Sequence, residues 1–163
     1  MILTMFYGRY EHKVDAKGRV QVPIALRKSG EDTVFSKFTL VRGVGGCLAL
    51  FTTKGFEKFQ EAYLDGVSRK DNIRFVRDFY SRMVEVELDS QGRILLPRLL
   101  REEVGIKDAV YFLGTGEWIE IWNVSTYEEY EKQSESDYDD LASHFFATMG
   151  RKQPDRSENA GQE

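Results

Sequence analysis

Asp15-Ala16-Lys17-Gly18-Arg19 occurs twice in this chain, returning as Asp89-Ser90-Gln91-Gly92-Arg93. The neighbours return with it. Val20, Val22, Pro23, Leu26 and Arg27 reappear as Ile94, Leu96, Pro97, Leu100 and Arg101, at a constant shift of 74. Upstream, Glu11 and Val14 fall on Glu85 and Leu88. Downstream, Gly43, Gly45, Leu48 and Phe51 answer to Gly114, Gly116, Ile119 and Trp122 at a shift of 71. One structural unit has been duplicated, with a small length change inside it.

The 163 residues are enough for one sizeable core, either as one domain or as two halves that share it. A hydrophobic content of 41% with 31% charged residues fits a soluble globular chain. Cys47 is the only cysteine, which excludes an intrachain disulfide and suits a reducing compartment. No stretch approaches the roughly 20 apolar residues of a membrane helix. Met1 to Tyr7 has neither a basic leader nor a small-residue cleavage site, so no signal peptide is expected, and Met5 is an alternative start. Net charge is −4, but it is unevenly spread. Residues 1–82 hold 15 Lys+Arg against 9 Asp+Glu, and residues 83–163 hold 8 against 18. That asymmetry suggests a basic binding face and an acidic region, although an unevenly charged solvated surface would look the same.

In chain order, residues 9–14 read as a strand, and Val84-Glu85-Val86-Glu87-Leu88 alternates cleanly as its counterpart. Each strand runs into its D-x-x-G-R. There Asp can bond backbone amides and Gly supplies the positive φ of a tight turn. A second strand follows (Arg19 to Val22; Arg93 to Leu96), and Pro23 or Pro97 opens a short helix, Ile24 to Lys28 or Arg98 to Val104. Gly-rich hairpins come next, Phe38 to Phe51 and Val110 to Trp122. Thr53 is expected to cap the helix after the first, with Phe56, Phe59 and Tyr63 inward. Ser125-Thr126-Tyr127-Glu128 is a capping-box pattern after the second. An extra helix is expected over 68–83, with Ile73, Val76, Phe79, Tyr80 and Met83 as its apolar stripe. Lys70, Arg74 and Arg77 lie opposite, as a solvated face or as a DNA or subunit contact. Beyond the acidic run Ser134 to Asp140, Leu141, Phe145 and Met149 suggest one more amphipathic helix. The polar stretch 150–163 reads as a disordered tail.

These motifs, in this order over roughly residues 5–145, resemble the MraZ family of bacterial transcriptional regulators, built of two SpoVT–AbrB-like halves. The match rests on Tyr10 to Arg19, the Pro23 helix with Arg27, the Arg42-Gly43 to Phe51 hairpin, Asp89 to Arg93, and Glu120-Ile121-Trp122. The resemblance implies an α+β fold in which two swapped-hairpin halves interlock about a pseudo-twofold axis, with helices outside. It divides the chain into a first half (8–54), connecting helices (55–81), a second half (82–125) and a C-terminal helical segment (126–149), and it does not extend to the tail (150–163). It also implies a ring-type homo-oligomer, cytoplasmic and nucleoid-associated, that binds tandem promoter repeats in double-stranded DNA upstream of the division and cell-wall gene cluster. The DNA-binding residues it implies are Arg19 and Arg93, helped by Lys17, with Asp15, Gly18, Asp89 and Gly92 shaping the turns. Gln91 stands where the first copy has Lys17, so the two turns need not meet DNA equally.

Arginine suits that role because its planar fork of donors can grip a phosphate or pair bidentately with guanine O6 and N7. Asp four residues earlier would be repelled by phosphate, so its expected part is to fix the turn and hold the Arg in one rotamer. The plainer alternative is that each Arg merely pairs with its own Asp. Two rival functions remain. Glu85, Glu87 and Asp89 share a strand face and could hold Mg²⁺, but the first copy places Lys13 in the middle, so no metal or other cofactor is expected. Cys47 reads as core rather than nucleophile, and no catalytic motif is present, so no enzyme is expected. The acidic segment 128–140 supports the other rival, an antitoxin-type protein–protein interaction module.

Overall fold

Among the described residues, alternating and apolar runs become eight strands. They are β1 (Arg9–Lys13), β2 (Arg19–Gln21), β3 (Lys37–Arg42), β4 (Leu48–Thr52), β5 (Val84–Glu87), β6 (Arg93–Leu95), β7 (Ala109–Gly114) and β8 (Ile119–Asn123). The structure, a computed structural model, describes residues 5–28, 34–134 and 137–149. The expectation for the tail 150–163 lies outside them.

Six strands form one antiparallel sheet in the order β1-β7-β8-β4-β3-β5. The opening strand of each repeat pairs with the hairpin of the other: β1 lies on β7, and β5 lies on β3. The halves therefore interlock, and the fold is α+β. β2 and β6 leave the sheet and pair with each other as an antiparallel ribbon.

The register reveals the symmetry. Val20 pairs with Ile94, its own counterpart at a shift of 74. Ala49 pairs with Glu120, its own counterpart at a shift of 71. A residue can face its own repeat partner only on the twofold, so the pseudo-twofold axis passes through both pairs.

The main core lies between the ribbon and one face of the sheet. Val20, Val22, Ile94 and Leu96 come from the ribbon side. Phe38, Leu40, Leu48, Leu50, Val110, Phe112, Ile119 and Ile121 come from the sheet. Leu26 and Leu100, from the short helical segments after the two prolines, join the same core. The turn after Pro23 is a single 3₁₀ turn, Ile24–Leu26, and its counterpart is the helix α3 (Arg98–Glu103). β4 is buried along its whole length because both sheet faces are covered there. On the other face Val41, Ala49 and Phe51 pack beneath Phe56 of α1 (Thr53–Phe59) and Phe79 of α2 (Ile73–Arg82). Cys47, Leu113 and Trp122 form a smaller cluster with Tyr111 and Tyr127, the latter on α4 (Val124–Gln133).

Several local expectations are corrected. The α1 cap is Thr52, not Thr53: its Oγ1 accepts from the Gly55 amide at 3.0 Å. Tyr63 is exposed rather than inward. A π-turn over Gln60–Leu64, with the Asp65 amide bonded to the Gln60 carbonyl, adds one residue to the repeat, so Leu64 reaches the aromatic cluster instead. The helix expected over 68–83 is shorter, with turns before Ile73. Along its stripe Phe79 is buried and Val76 and Met83 are half-buried, but Ile73 and Tyr80 remain exposed. α4 starts at Val124, ahead of the capping-box serine, and Glu128 accepts from the Tyr111 hydroxyl at 3.0 Å.

The described residues from Tyr130 onward belong to a separate unit. It contains the helix α5 (Tyr138–Met149), on which Leu141, Phe145, Phe146 and Met149 are exposed.

Candidate nucleic-acid interface

Each D-x-x-G-R closes as the same small machine. Asp15 Oδ1 accepts from the Lys17 and Arg19 amides, both at 2.9 Å, and Oδ2 accepts from Arg19 Nε at 2.8 Å. Asp89 does the same for Gln91 (2.9 Å) and Arg93 (3.0 Å), with Arg93 Nε at 2.9 Å. Gly18 and Gly92 sit at φ +89° and +75°, where an L side chain is strained, and each amide bonds back to its Asp carbonyl at 3.0 Å. Bonding from amides to the ionised carboxylate, the Arg19 amide foremost for Asp15 and the Arg93 amide for Asp89, holds both acids below their ordinary range.

Both Args therefore do pair with their own Asp, as the plainer alternative supposed, but through one edge. Among the described residues no hydrogen bond engages the Nη groups of Arg19. Arg93 Nη1 lies 4.0 Å from Asp15 Oδ2, across the ribbon. Each carboxylate thus fixes its guanidinium at Nε; the Nη groups of Arg19 stay available, while Arg93 Nη1 also faces Asp15, which links the two turns.

Strand alternation then sets the face. Val20 and Ile94 point into the core, so Arg19, Gln21, Arg93 and Leu95 share the outward face of the ribbon. Arg19 and Arg93 are diagonal neighbours about the twofold. Gln21 Nε2 donates to the Gln91 carbonyl at 2.9 Å, tying one turn to the strand beside it. Lys17 and Gln91 are exposed at the turn tips.

Two further residues hold the turns in place, and the sequence reading gave them no role. Arg27 Nε donates to the Val22 carbonyl at 2.7 Å, and Arg101 Nε donates to the Leu96 carbonyl at 3.0 Å. Arg27 lies against Gly92 of the opposite repeat, and Arg101 lies against Gly18. The signal was present in the repeat, which carries both arginines at the shift of 74, but only the exchange of partners shows what they touch.

The other candidates are placed elsewhere. Arg74 is fully exposed and 3.9 Å from Asp78. Arg77 borders a shallow groove with Gln60, Arg69 and Tyr80, and Lys70 precedes the helix. Glu87 of the acidic strand face pairs with Lys37 at 3.2 Å, and Asp89 is committed to its turn. Among the described residues no group of three His, Cys, Asp or Glu could hold a metal ion. No described helix is long and apolar enough to cross a membrane. The buried Cys47 thiol is pushed up to about 12, first by burial and then by Glu120.

A family model described as "MraZ protein, putative antitoxin-like" matches residues 5–77 and again 79–147, one copy on each repeat. The chain belongs to the MraZ family. A transcriptional regulator MraZ of Caldanaerobacter subterraneus subsp. tengcongensis is 37% identical over 142 residues, covering 86% of this chain and 96% of the relative. One of Acetivibrio thermocellus is 42% identical over 129 residues, covering 77% and 86%. One of Lactiplantibacillus plantarum is 34% identical over 140 residues, covering 85% and 96%. The boundary between the two MraZ matches falls within α2, between the duplicated D-x-x-G-R turns.

Proposed function

We infer that this MraZ-family chain is a sequence-specific DNA-binding transcriptional regulator, not an enzyme, and that the β2–β6 ribbon is its reading element. The observation that carries this is the pairing of Val20 with Ile94. It sets two arginines on one outward face, each held at its Nε by a carboxylate. A two-stranded ribbon fits the major groove, where a guanidinium can take guanine O6 and N7. Asp15 and Asp89 are kept from the phosphates by their bonds to the turns, while Lys17 extends toward the backbone. The names of the relatives support the regulatory role.

One ribbon presents few base contacts, and the chain's net charge of −4 works against tight binding by a single copy. The reading therefore includes a ring-type homo-oligomer, in the cytoplasm at the nucleoid, that sets several ribbons on tandem promoter repeats of the division and cell-wall cluster. Linked copies multiply weak contacts through effective concentration. A shift assay on the DNA upstream of the chain's own gene, cut to one, two or three repeats, tests it. Affinity should climb steeply with repeat number and fall steeply with salt. Equal affinity for one and three repeats would count against the oligomeric reading. Retention of a stoichiometric protein partner with no DNA bound would favour the interaction-module alternative.

A further inference from the structure

The pseudo-twofold that relates the two arginine turns holds in the backbone and breaks in the side chains. Across the ribbon Arg19 faces Leu95, while Arg93 faces Gln21. The shift of 74 converts one pair into the other, so the two ends of the face would match if Gln21 and Leu95 were the same residue. They are chemically opposed. Gln21 is polar and tied by its Nε2 to the Gln91 carbonyl, which leaves its Oε1 as an acceptor. Leu95 is apolar and 55% exposed, on the side of the ribbon away from the core. The turn tips differ too, with Lys17 at the Leu95 end and Gln91 at the Gln21 end. A single exposed leucine is ordinary on a protein surface. This one is the only apolar member of a four-residue face otherwise made of Arg19, Gln21 and Arg93.

We propose that Leu95 is a specificity-determining residue of this face: it packs on the 5-methyl group of a thymine beside the base read by Arg19, and so fixes one orientation of each subunit on DNA. The proposal rests on the reading of the ribbon as the DNA-reading element. The major groove offers few apolar groups, and the thymine methyl is the one that distinguishes a base pair. At the other end the Gln21 acceptor suits an exocyclic amine, adenine N6 or cytosine N4. Lys17 adds a cation at one turn only. A symmetric ribbon would read a palindrome and bind equally well either way round. This ribbon reads a directional site. Copies related by rotation around a ring all present the same end first, so directional reading matches directional repeats.

The test is selection from a random-core duplex library by the full chain and by Leu95→Gln, which makes the two ends of the face alike at an exposed position. The wild-type chain should enrich a non-palindromic motif. Deoxyuridine in place of one thymine of that motif should weaken wild-type binding about fourfold, the worth of burying one methyl group. The same replacement should leave Leu95→Gln unchanged, and that variant should enrich a more nearly palindromic motif. A palindromic wild-type motif, or equal deoxyuridine losses in both proteins, would overturn the proposal while the DNA-binding reading stands. A loss of self-association in Leu95→Gln would assign the leucine to a subunit contact and overturn it too. No enrichment by the wild-type chain would remove both.

Discussion

Arg27 of the first repeat buttresses Gly92 of the second. A Cβ placed on Gly92 would collide with the Arg27 guanidinium, and a Cβ on Gly18 would lie 2.6 Å from Arg101 Nε. The cross-strand bonds say the same thing: the Val22 amide bonds to the Gly92 carbonyl at 3.0 Å, and the Leu96 amide to the Gly18 carbonyl at 2.9 Å. Each arginine turn is therefore positioned by the other half of the chain. A motif that looks local in sequence is thus bonded to the opposite repeat as well as to itself.

Gly92→Ala should cost about 2 kcal/mol, from the positive φ together with the collision. Adding Arg27→Ala relieves the collision but not the backbone strain, so the two losses should not add. A double-mutant cycle by denaturant unfolding measures the coupling. Strict additivity would mean that Arg27 does not hold the Gly92 turn.

Arg27→Lys should weaken promoter binding several-fold with only a small loss of stability. Lysine keeps the charge but cannot reproduce the Nε bond to the Val22 carbonyl while its head packs on Gly92. Anisotropy titration beside a melting curve separates the two effects. Unaltered binding would show that charge alone suffices.

Asp15 and Asp89 have lowered native pKa values, so their contribution to the turns is complete above the ordinary aspartate value of 3.8. It is lost as pH falls through the lower native values. Proton resonances of the Arg19 and Arg93 amides should therefore hold their positions from neutral pH down to that ordinary value and move only below it. Movement near pH 6 would contradict the assignment. Asp15→Asn should be milder than Asp15→Ala, because the amide oxygen still accepts from the Lys17 and Arg19 backbone.

Cys47, with its thiol pushed up to about 12 and no exposed surface, should resist alkylation at pH 8 in the folded protein and react fully once unfolded. Fast labelling of the native chain would show that the cluster around Trp122 opens readily.

Much of this fold could be read before any coordinates, and the repeat is why. Two copies of strand, D-x-x-G-R, strand and proline fix the element order, and the glycine-rich turns place both hairpins. The repeat alone does not name the partners of those elements. Periodicity shows that β5 has a buried side, but only the family resemblance points to hairpins exchanged between the halves, and only the structure sets β5 on β3. The turn residues Asp15, Gly18 and Arg19 announce themselves by type and spacing. Arg27 and Arg101 do not, because their role depends on contacts with residues 65 and 83 positions away. Tyr63 misleads for a different reason: helical spacing points it inward, and a single π-turn hands its place to Leu64. Thr52 and Thr53 are equally good caps on paper, and only backbone geometry chooses between them.

Whether Arg19 and Arg93 meet DNA from one ribbon face is decided by the affinity of Arg19→Ala/Arg93→Ala for the chain's own upstream DNA across a salt series, with oligomeric state monitored in parallel. The assembly should stay intact while specific binding is lost, at about 1–3 kcal/mol per base-reading arginine. Wild-type affinity should fall with salt by about 0.9 log units per log unit for each phosphate neutralised. Undiminished, sequence-specific binding by the double variant in an intact assembly would contradict that contact.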